Sequence, residues 1–485
     1  MSPTSSPPRS GTVVGVLAGA GIVTSLMQAL VIPLIPELPT LLGTSAANAS
    51  WVVTVTLLTG AVATPVVGRL GDLYGKRRML LTCLALLIAG SLVCALADSL
   101  APMIVGRAFQ GMSMGIIPLG ISIMRDLMPP ERLGSAIALM SSSLGIGGAL
   151  GLPAAAAVAQ NADWHMLFWG AAALGTLVAV LVLRAVPESR VRAGGPFDVT
   201  GALLLSCGLV ALLLPISKGG DWGWDAPVTL SLFGAAAVVL AVWCGWELRT
   251  PAPLVNLRSS VRRQVLVTNL ASVLVGLAMF VMMLVPVQIL QLPEATGYGL
   301  GQSMLAAGLW MAPSGLVIML VSPLGARLSA ARGPRTSLLT GALVIAFGYV
   351  VALGLSGSAW GVLAFTSVIG VGIALAYAAM PALIMAAVPP SETAVANGLN
   401  TLMRSIGTST SSAVVGALLA GMTIRFEGAE LPSEQGLRTA LAFGACAALL
   451  ATAVILAIPR HAPAETSAPP PAAARPPAGA RHPAP

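Results

Sequence analysis

The chain has 485 residues, of which 56% are hydrophobic and only 9% charged, with a formal net charge of +8. A soluble domain carries about 25% charged residues, so water is excluded as the main solvent of this sequence. Nucleic-acid binding is excluded too, because the cations form short clusters between apolar runs rather than one basic surface.

Those runs recur from residue 12 to residue 459, each long enough to cross roughly 30 Å of hydrocarbon. The alternating short segments of a membrane barrel are not seen, so an all-α membrane protein is expected. Taken in chain order, the spans are predicted at 12–36, 51–70, 79–97, 102–124, 134–158, 165–186 and 199–217. The remainder fall at 228–247, 265–290, 303–325, 336–355, 361–387, 395–421 and 437–459, about fourteen in all. The stretch after Arg9 resembles a signal peptide, but its apolar run is long and further spans follow, so it is read as a retained first helix. Residues 1–11 and 461–485, the latter ending APPPAAARPPAGARHPAP, are rich in Pro, Ala and Ser and are expected to be disordered.

Charge placement then sets direction. With the N-terminus in the cytoplasm, the clusters at Arg69 to Arg78, Arg125 and Arg132, Arg184 to Arg192, Arg249 to Arg263 and Arg327 to Arg335 all fall inside. Of the 25 cations, only Lys218, Arg425 and Arg438 fall outside, while Arg107 and Arg404 lie within spans. Both termini are therefore expected to be cytoplasmic, in a bacterial inner membrane. The five cysteines lie in or beside spans without a C-x-x-C pair, and His165, His461 and His482 are scattered. No metal or cofactor site is expected, and no nucleophile–base–acid set suggests an enzyme.

The loop after span 2 reads Gly68-Arg-Leu-Gly-Asp72-Leu-Tyr-Gly75-Lys-Arg-Arg78, and the loop after span 10 reads Ala326-Arg-Leu-Ser-Ala-Ala-Arg-Gly333-Pro-Arg335. The two share Arg, Leu, Gly and Arg at matching places, and each follows the second helix of a six-helix block. Duplicated halves are a common carrier design. The expected organisation is a first bundle over 12–190, a two-helix insert over 191–260 and a second bundle over 261–460.

With these residues in view the chain resembles the major facilitator superfamily, and within it the fourteen-helix drug:proton antiporter branch. The first loop matches the superfamily pattern G-x-L-x-D-x-x-G-[RK]-[RK] through Gly68, Asp72, Gly75, Lys76 and Arg77. Arg107-Ala-Phe-Gln110-Gly111 is similar to the branch's R-x-x-Q-G, and Gly398, Arg404 and Gly407 match the Gly, Arg and Gly of its G-x-x-N-x-x-R-x-x-G. Phe197-Asp198 and Pro253-Leu-Val-Asn-Leu also resemble this branch. The span-5 pattern G-x-x-x-G-P departs at Gly147, Gly151 and Pro153, where the proline comes one place late. Span 1 has Thr24-Ser-Leu-Met-Gln28 where many relatives carry Asp, and Ala330 stands where the repeat would place a second Asp.

Several residues admit two readings. Asp72, with Arg69, Lys76, Arg77 and Arg78, is either a solvated turn or a gate facing a helix N-terminus in the other half, with span 13 the expected partner because Pro390-Ser-Glu-Thr393 reads as its cap. Arg107 is a snorkelling anchor or a transport residue paired with Glu37, a backbone carbonyl or a water. Arg404 raises the same question deeper in span 13. Gly145, Gly147, Gly148 and Gly151 serve close helix packing or gating. Asn269, Gln288, Gln291 and Asn400 bond between helices or touch substrate, and the methionines at 279, 282, 283, 304, 311, 380 and 385 fill the core or line an adaptable pocket.

The resemblance implies export of amphipathic drug-like molecules by alternating access in exchange for protons. A monomer in contact with lipid, substrate and protons is expected. An importer or a lipid flippase on the same fold is the alternative, and a membrane receptor or regulator is the alternative from another class.

Overall fold

The computed structural model describes residues 10–31, 34–35, 37–426 and 429–459. Its long helices, in chain order, are α1 (Ser10–Ala29), α2 (Trp51–Tyr74), α3 (Lys76–Ala95), α4 (Leu100–Leu127), α5 (Pro130–Asn161), α6 (His165–Ala185) and α7 (Val199–Trp222). They continue as α8 (Pro227–Arg249), α9 (Arg263–Gln291), α10 (Met304–Arg332), α11 (Pro334–Leu355), α12 (Ala359–Ala387), α13 (Thr393–Gly421) and α14 (Glu434–Leu456). The side-chain oxygens of Asp198, Ser303, Ser358 and Ser433 cap the first turns of α7, α10, α12 and α14.

Among the described residues, 13 helices are long and apolar enough to cross a membrane. The long helix outside that set is α13, which carries Asn397, Asn400, Arg404 and the run Thr408 to Ser412. Such a helix tolerates polar groups where its neighbours are protein rather than lipid. Span 1 is shorter than predicted, ending at Ala29. Pro33 has no N–H to donate to the Ala29 carbonyl four residues back, and Ile32, Pro33 and Pro36 lie outside the described residues. So do Arg9, Arg460 and the whole segment 461–485, including His461 and His482. A small antiparallel hairpin, β1 (Thr423–Phe426) with β2 (Ala429–Pro432), was not foreseen. It is tied down by the Tyr298 hydroxyl, which donates to the Pro432 carbonyl at 2.6 Å.

The apolar core falls into two large clusters. One is built from α1 to α6, between Val13 and Val186, and it also takes in Met385 and Ala394. The other is built from α9 to α14, between Val267 and Ile458. A smaller third cluster joins Leu205, Leu209, Leu213 and Trp243 of α7 and α8 to Ala61 of α2 and Leu402 of α13. The pair α7–α8 thus packs where the two larger clusters meet. Both repeat-related loops turn on a glycine of positive φ, Gly75 at 119° and Gly333 at 84°. There a side chain would strain the turn between consecutive helices.

Candidate functional site

Two glycines bring α2 and α13 into backbone contact. A Cβ on Gly68 would lie 2.8 Å from the Ala394 carbonyl oxygen, and one on Gly398 would lie 3.0 Å from that of Thr64. Nothing larger than hydrogen fits, so the two backbones can approach. One turn beyond Gly68, Asp72 is wholly buried and its carboxylate accepts from the backbone N–H of Ala394 at 3.4 Å and Val395 at 3.0 Å. These are first-turn donors of α13, which have no partner within their own helix. An anion at such a helix start is worth about 0.3–2 kcal/mol.

Behind Asp72, Lys76 is also fully buried, 3.6 Å from Asp72 and 2.6 Å from Asp126 at the end of α4. Asp126 also accepts from the Ser189 hydroxyl at 2.5 Å. The neighbouring Arg125 crosses to the same end of α12 and α13: its guanidinium donates to the Thr393 hydroxyl and to the carbonyls of Met385 at 3.0 Å and Val388 at 3.3 Å. Glu188 accepts from the backbone N–H groups of Arg77 at 3.1 Å and Arg78 at 3.3 Å, closing the first turn of α3. The Arg77 guanidinium donates to Leu183 at 2.6 Å, whereas the Arg78 side chain is exposed. Arg69 is buried beside Asp72, with its Nε lacking a partner among the described residues. Sequence reading missed the roles of Arg125, Asp126 and Glu188, and it read Thr393 as part of the cap of span 13 without its bond to Arg125. The adjacent opposite charges at Arg125-Asp126, closing an apolar span, were the available signal.

A second polar group lies inside the first bundle. Arg107 is 3% exposed. Its Nη1 donates to Gln110 Oε1 at 2.7 Å and to the Met27 carbonyl at 3.4 Å, and its Nε to the Val52 carbonyl at 3.3 Å. Gln110 in turn donates to the Ser91 hydroxyl at 2.9 Å. Gly111 packs against α2 at Thr56, whose carbonyl carbon would stand 3.1 Å from an added Cβ. Arg107 thus ties α4 to α1 and α2 through backbone carbonyls. Glu37, the acid considered as its partner, is exposed at the start of the short helix Leu38–Leu41 and makes no such pair. The reason is geometric: Arg107 lies seven positions into a helix that begins at Leu100, with its side chain enclosed by α1 and α2.

The span-5 residues divide by partner. A Cβ on Gly151 would meet Ala29 at 2.7 Å and one on Gly147 would meet the Leu26 nitrogen at 2.7 Å, so both close α5 onto α1. Gly145 instead faces α10, where a Cβ would lie 2.7 Å from Ile318 and 3.0 Å from the Gly315 carbonyl. Pro153 lies within the helix, half-buried.

The third group sits at mid-depth. The guanidinium carbon of Arg404 lies 4.8 Å from the centroid of the Tyr377 ring. Beside it Asn400 donates to Asn269 at 2.9 Å and to the Ser272 hydroxyl at 2.7 Å, so these amides bond between helices. Met380, Met282, Met311 and Met385 are buried, whereas Met283 is exposed. Ile117, Ile121 and Ser141 from the first half, with Tyr377, Asn400 and Arg404 from the second, line a pocket of about 20 Å³. Among the described residues no group of His, Cys, Asp and Glu could hold a metal ion.

A bundle of long apolar helices in two packed halves, with a small pocket lined from both, defines a multi-pass membrane carrier. The comparison with known proteins is specific: the family model of the Major Facilitator Superfamily matches residues 17–412 and 292–483, and the chain belongs to that family. It is 28% identical to a probable actinorhodin transporter of Streptomyces coelicolor, over 85% of this chain and 73% of that protein. It is 26% identical to the multidrug resistance protein Stp of Mycobacterium tuberculosis, over 84% and 75%. The multidrug transporter protein MdtP of Bacillus subtilis is 24% identical, over 76% and 68%. Among solved structures, the human organic anion transporter MFSD10 (TETRAN) superimposes with a TM-score of 0.66 at 17% identity, covering 92% of this chain and 100% of that one. The proton:xylose symporter XylE superimposes at 0.62 with 13% identity, covering 93% and 96%. At these identities the two structures establish the fold alone.

Proposed function

We propose that this major facilitator exports amphipathic, drug-like small molecules by alternating access, driven by inward proton flow. The observation that carries the reading is the pairing of a latched end with a mid-depth pocket between halves. Asp72 and Arg125 hold α2 and α4 against the starts and ends of α13 and α12, and the pocket at Arg404 lies farther along the same helices. The latched end carries the arginine clusters, which the positive-inside rule assigns to the cytoplasm, so this conformer is closed on the cytoplasmic side. Rocking of the halves 12–190 and 261–460 about the pocket would open it, with 191–260 as an accessory pair of helices and fourteen spans in all.

Export and the drug-like substrate class are supported by the printed names of the curated relatives. Proton coupling is supported by the motif resemblance at Arg107 and Gln110. The test is efflux from cells with and without the protein, with the transmembrane proton gradient present or collapsed. Expected is a several-fold rise in retained compound on collapse, only in cells that carry the protein. Export that persists after both proton and sodium gradients are abolished would sink secondary transport.

A further inference from the structure

Arg404 lies about 16 Å along α13 at 1.5 Å per residue from Thr393, well inside the 29-residue helix. The Tyr377 ring faces it from α12, more than two turns from that helix's end at Ala387. Its partner among the described residues is that ring. Among the described residues the guanidinium has neither an ion pair nor a hydrogen-bond acceptor. Arg107 offers the contrast, because its donors are taken up by Met27, Val52 and Gln110.

An arginine carries five N–H donors around the edge of a planar group. A ring beneath that plane engages the face and leaves the edge donors free. A cation at this depth needs an acceptor from water or from a ligand. Among the described residues no acid serves the purpose. Every described Asp or Glu within the long helices sits in an end turn: Asp72, Asp126, Glu131, Asp221, Glu247 and Glu434. The two charges deep in the bundle are Arg107 and Arg404, both positive, so a cationic compound entering the pocket meets charge of its own sign.

The remaining lining is apolar or neutral: Ile117 and Ile121 on one side, Ser141 and Asn400 beside the arginine. Its volume of about 20 Å³ holds one water in this conformer. A substrate can therefore occupy the site only when the halves part, and the lining from both halves would separate in that motion.

We propose that Arg404 selects the transported compounds by charge, and that these are amphipathic weak acids. Their flat apolar body would lie against Tyr377, Ile117 and Ile121, and a carboxylate or ionised phenol would accept from the guanidinium edge. This inference rests on the export reading above and names its substrate class. The planar edge can serve both oxygens of one carboxylate, which a lysine ammonium cannot match.

The experiment uses the full chain in lipid nanodiscs and three probes that share one ring system: 1-pyrenebutyrate, its neutral amide and 1-pyrenebutylammonium. Affinities are read by fluorescence for the parent protein, Arg404→Lys, Arg404→Gln and Arg404→Glu. Expected is at least tenfold preference of the parent for the carboxylate over the ammonium. Arg404→Gln should lose about tenfold for the carboxylate while holding the amide unchanged, Arg404→Lys should fall between, and Arg404→Glu should reverse the order. The amide serves as the folding control within each variant. Equal affinity of the parent for all three probes, failure to bind the carboxylate, or an unchanged ratio in Arg404→Gln overturns the inference. Export of neutral or cationic drugs by a protein that ignores the carboxylate would refute the weak-acid class and leave the transport reading standing. Failure to move any compound would refute that reading instead.

Discussion

The carboxylate of Asp72 accepts the backbone N–H of Val395 at 3.0 Å, across 323 positions of sequence. It is the charge of one half resting on the helix start of the other. Every element at this contact is arranged for close approach: Gly68 and Gly398 remove the side chains that would separate the backbones, and Lys76 holds the carboxylate from behind at 3.6 Å.

Asp72→Asn keeps the shape and removes the charge. The bond to a helix start is worth about 0.3–2 kcal/mol, so the closed conformer should lose between about twofold and thirtyfold in population. Transport should slow several-fold with membrane abundance near that of the parent. A variant transporting at the parental rate would remove the gating role from Asp72.

Gly68→Ala tests the same closure by volume instead of charge. The new methyl would stand 2.8 Å from the Ala394 carbonyl oxygen, inside any normal contact, so α2 and α13 must part. Labelling of a cysteine placed at Ser391 by a membrane-impermeant thiol reagent, applied from the cytoplasmic face, should speed up in Gly68→Ala. Unchanged labelling would show that the helices do not close on this glycine.

Arg125 grips the same end through other atoms: Thr393, the Met385 carbonyl of α12 and the Val388 carbonyl just past it. Arg125→Gln should therefore weaken closure on its own. Combined with Asp72→Asn, it should depart from additivity by about 0.5 kcal/mol or more, since both act on the start of α13. Strict additivity of the two effects on labelling rate would mean that they hold separate parts of the interface.

Arg107 should not be replaceable by lysine. Its Nε and Nη1 serve acceptors on α1, α2 and its own helix at once, and a single ammonium cannot reach all three. Arg107→Lys and Arg107→Ala should both insert and both export at a tenth of the parental rate or less, measured per molecule in reconstituted vesicles. Near-normal efflux by the alanine variant would leave Arg107 a structural strut of the first bundle.

The helices themselves were legible along the chain because the signal is local. Runs such as Met79 to Ala97 or Ala359 to Ala387 are apolar over the length needed to cross a bilayer, although the end of span 1, predicted at 36, falls at Ala29. Asp72 stood out along the chain because it sits at fixed spacing between Gly68, which permits close approach, and Gly75, which permits a tight turn, and span 13 could be named as its partner from the cap-like residues ahead of it. What had to come from the tertiary structure was which atoms answer each charge. Asp72 is met by the N–H groups of Ala394 and Val395, Arg125 by the carbonyls of Met385 and Val388, and Arg107 by those of Met27 and Val52. Every residue but proline carries that N–H and every residue that carbonyl, so no side chain along the chain announces the match. Glu37 looked like a partner for Arg107 because it is an acid near the right depth, but the fold leaves it exposed and meets Arg107 with backbone. The lack of an acid beside Arg404 is likewise a property of the assembled bundle: it follows from where the described acids end up, which depends on helices distant in sequence packing side by side.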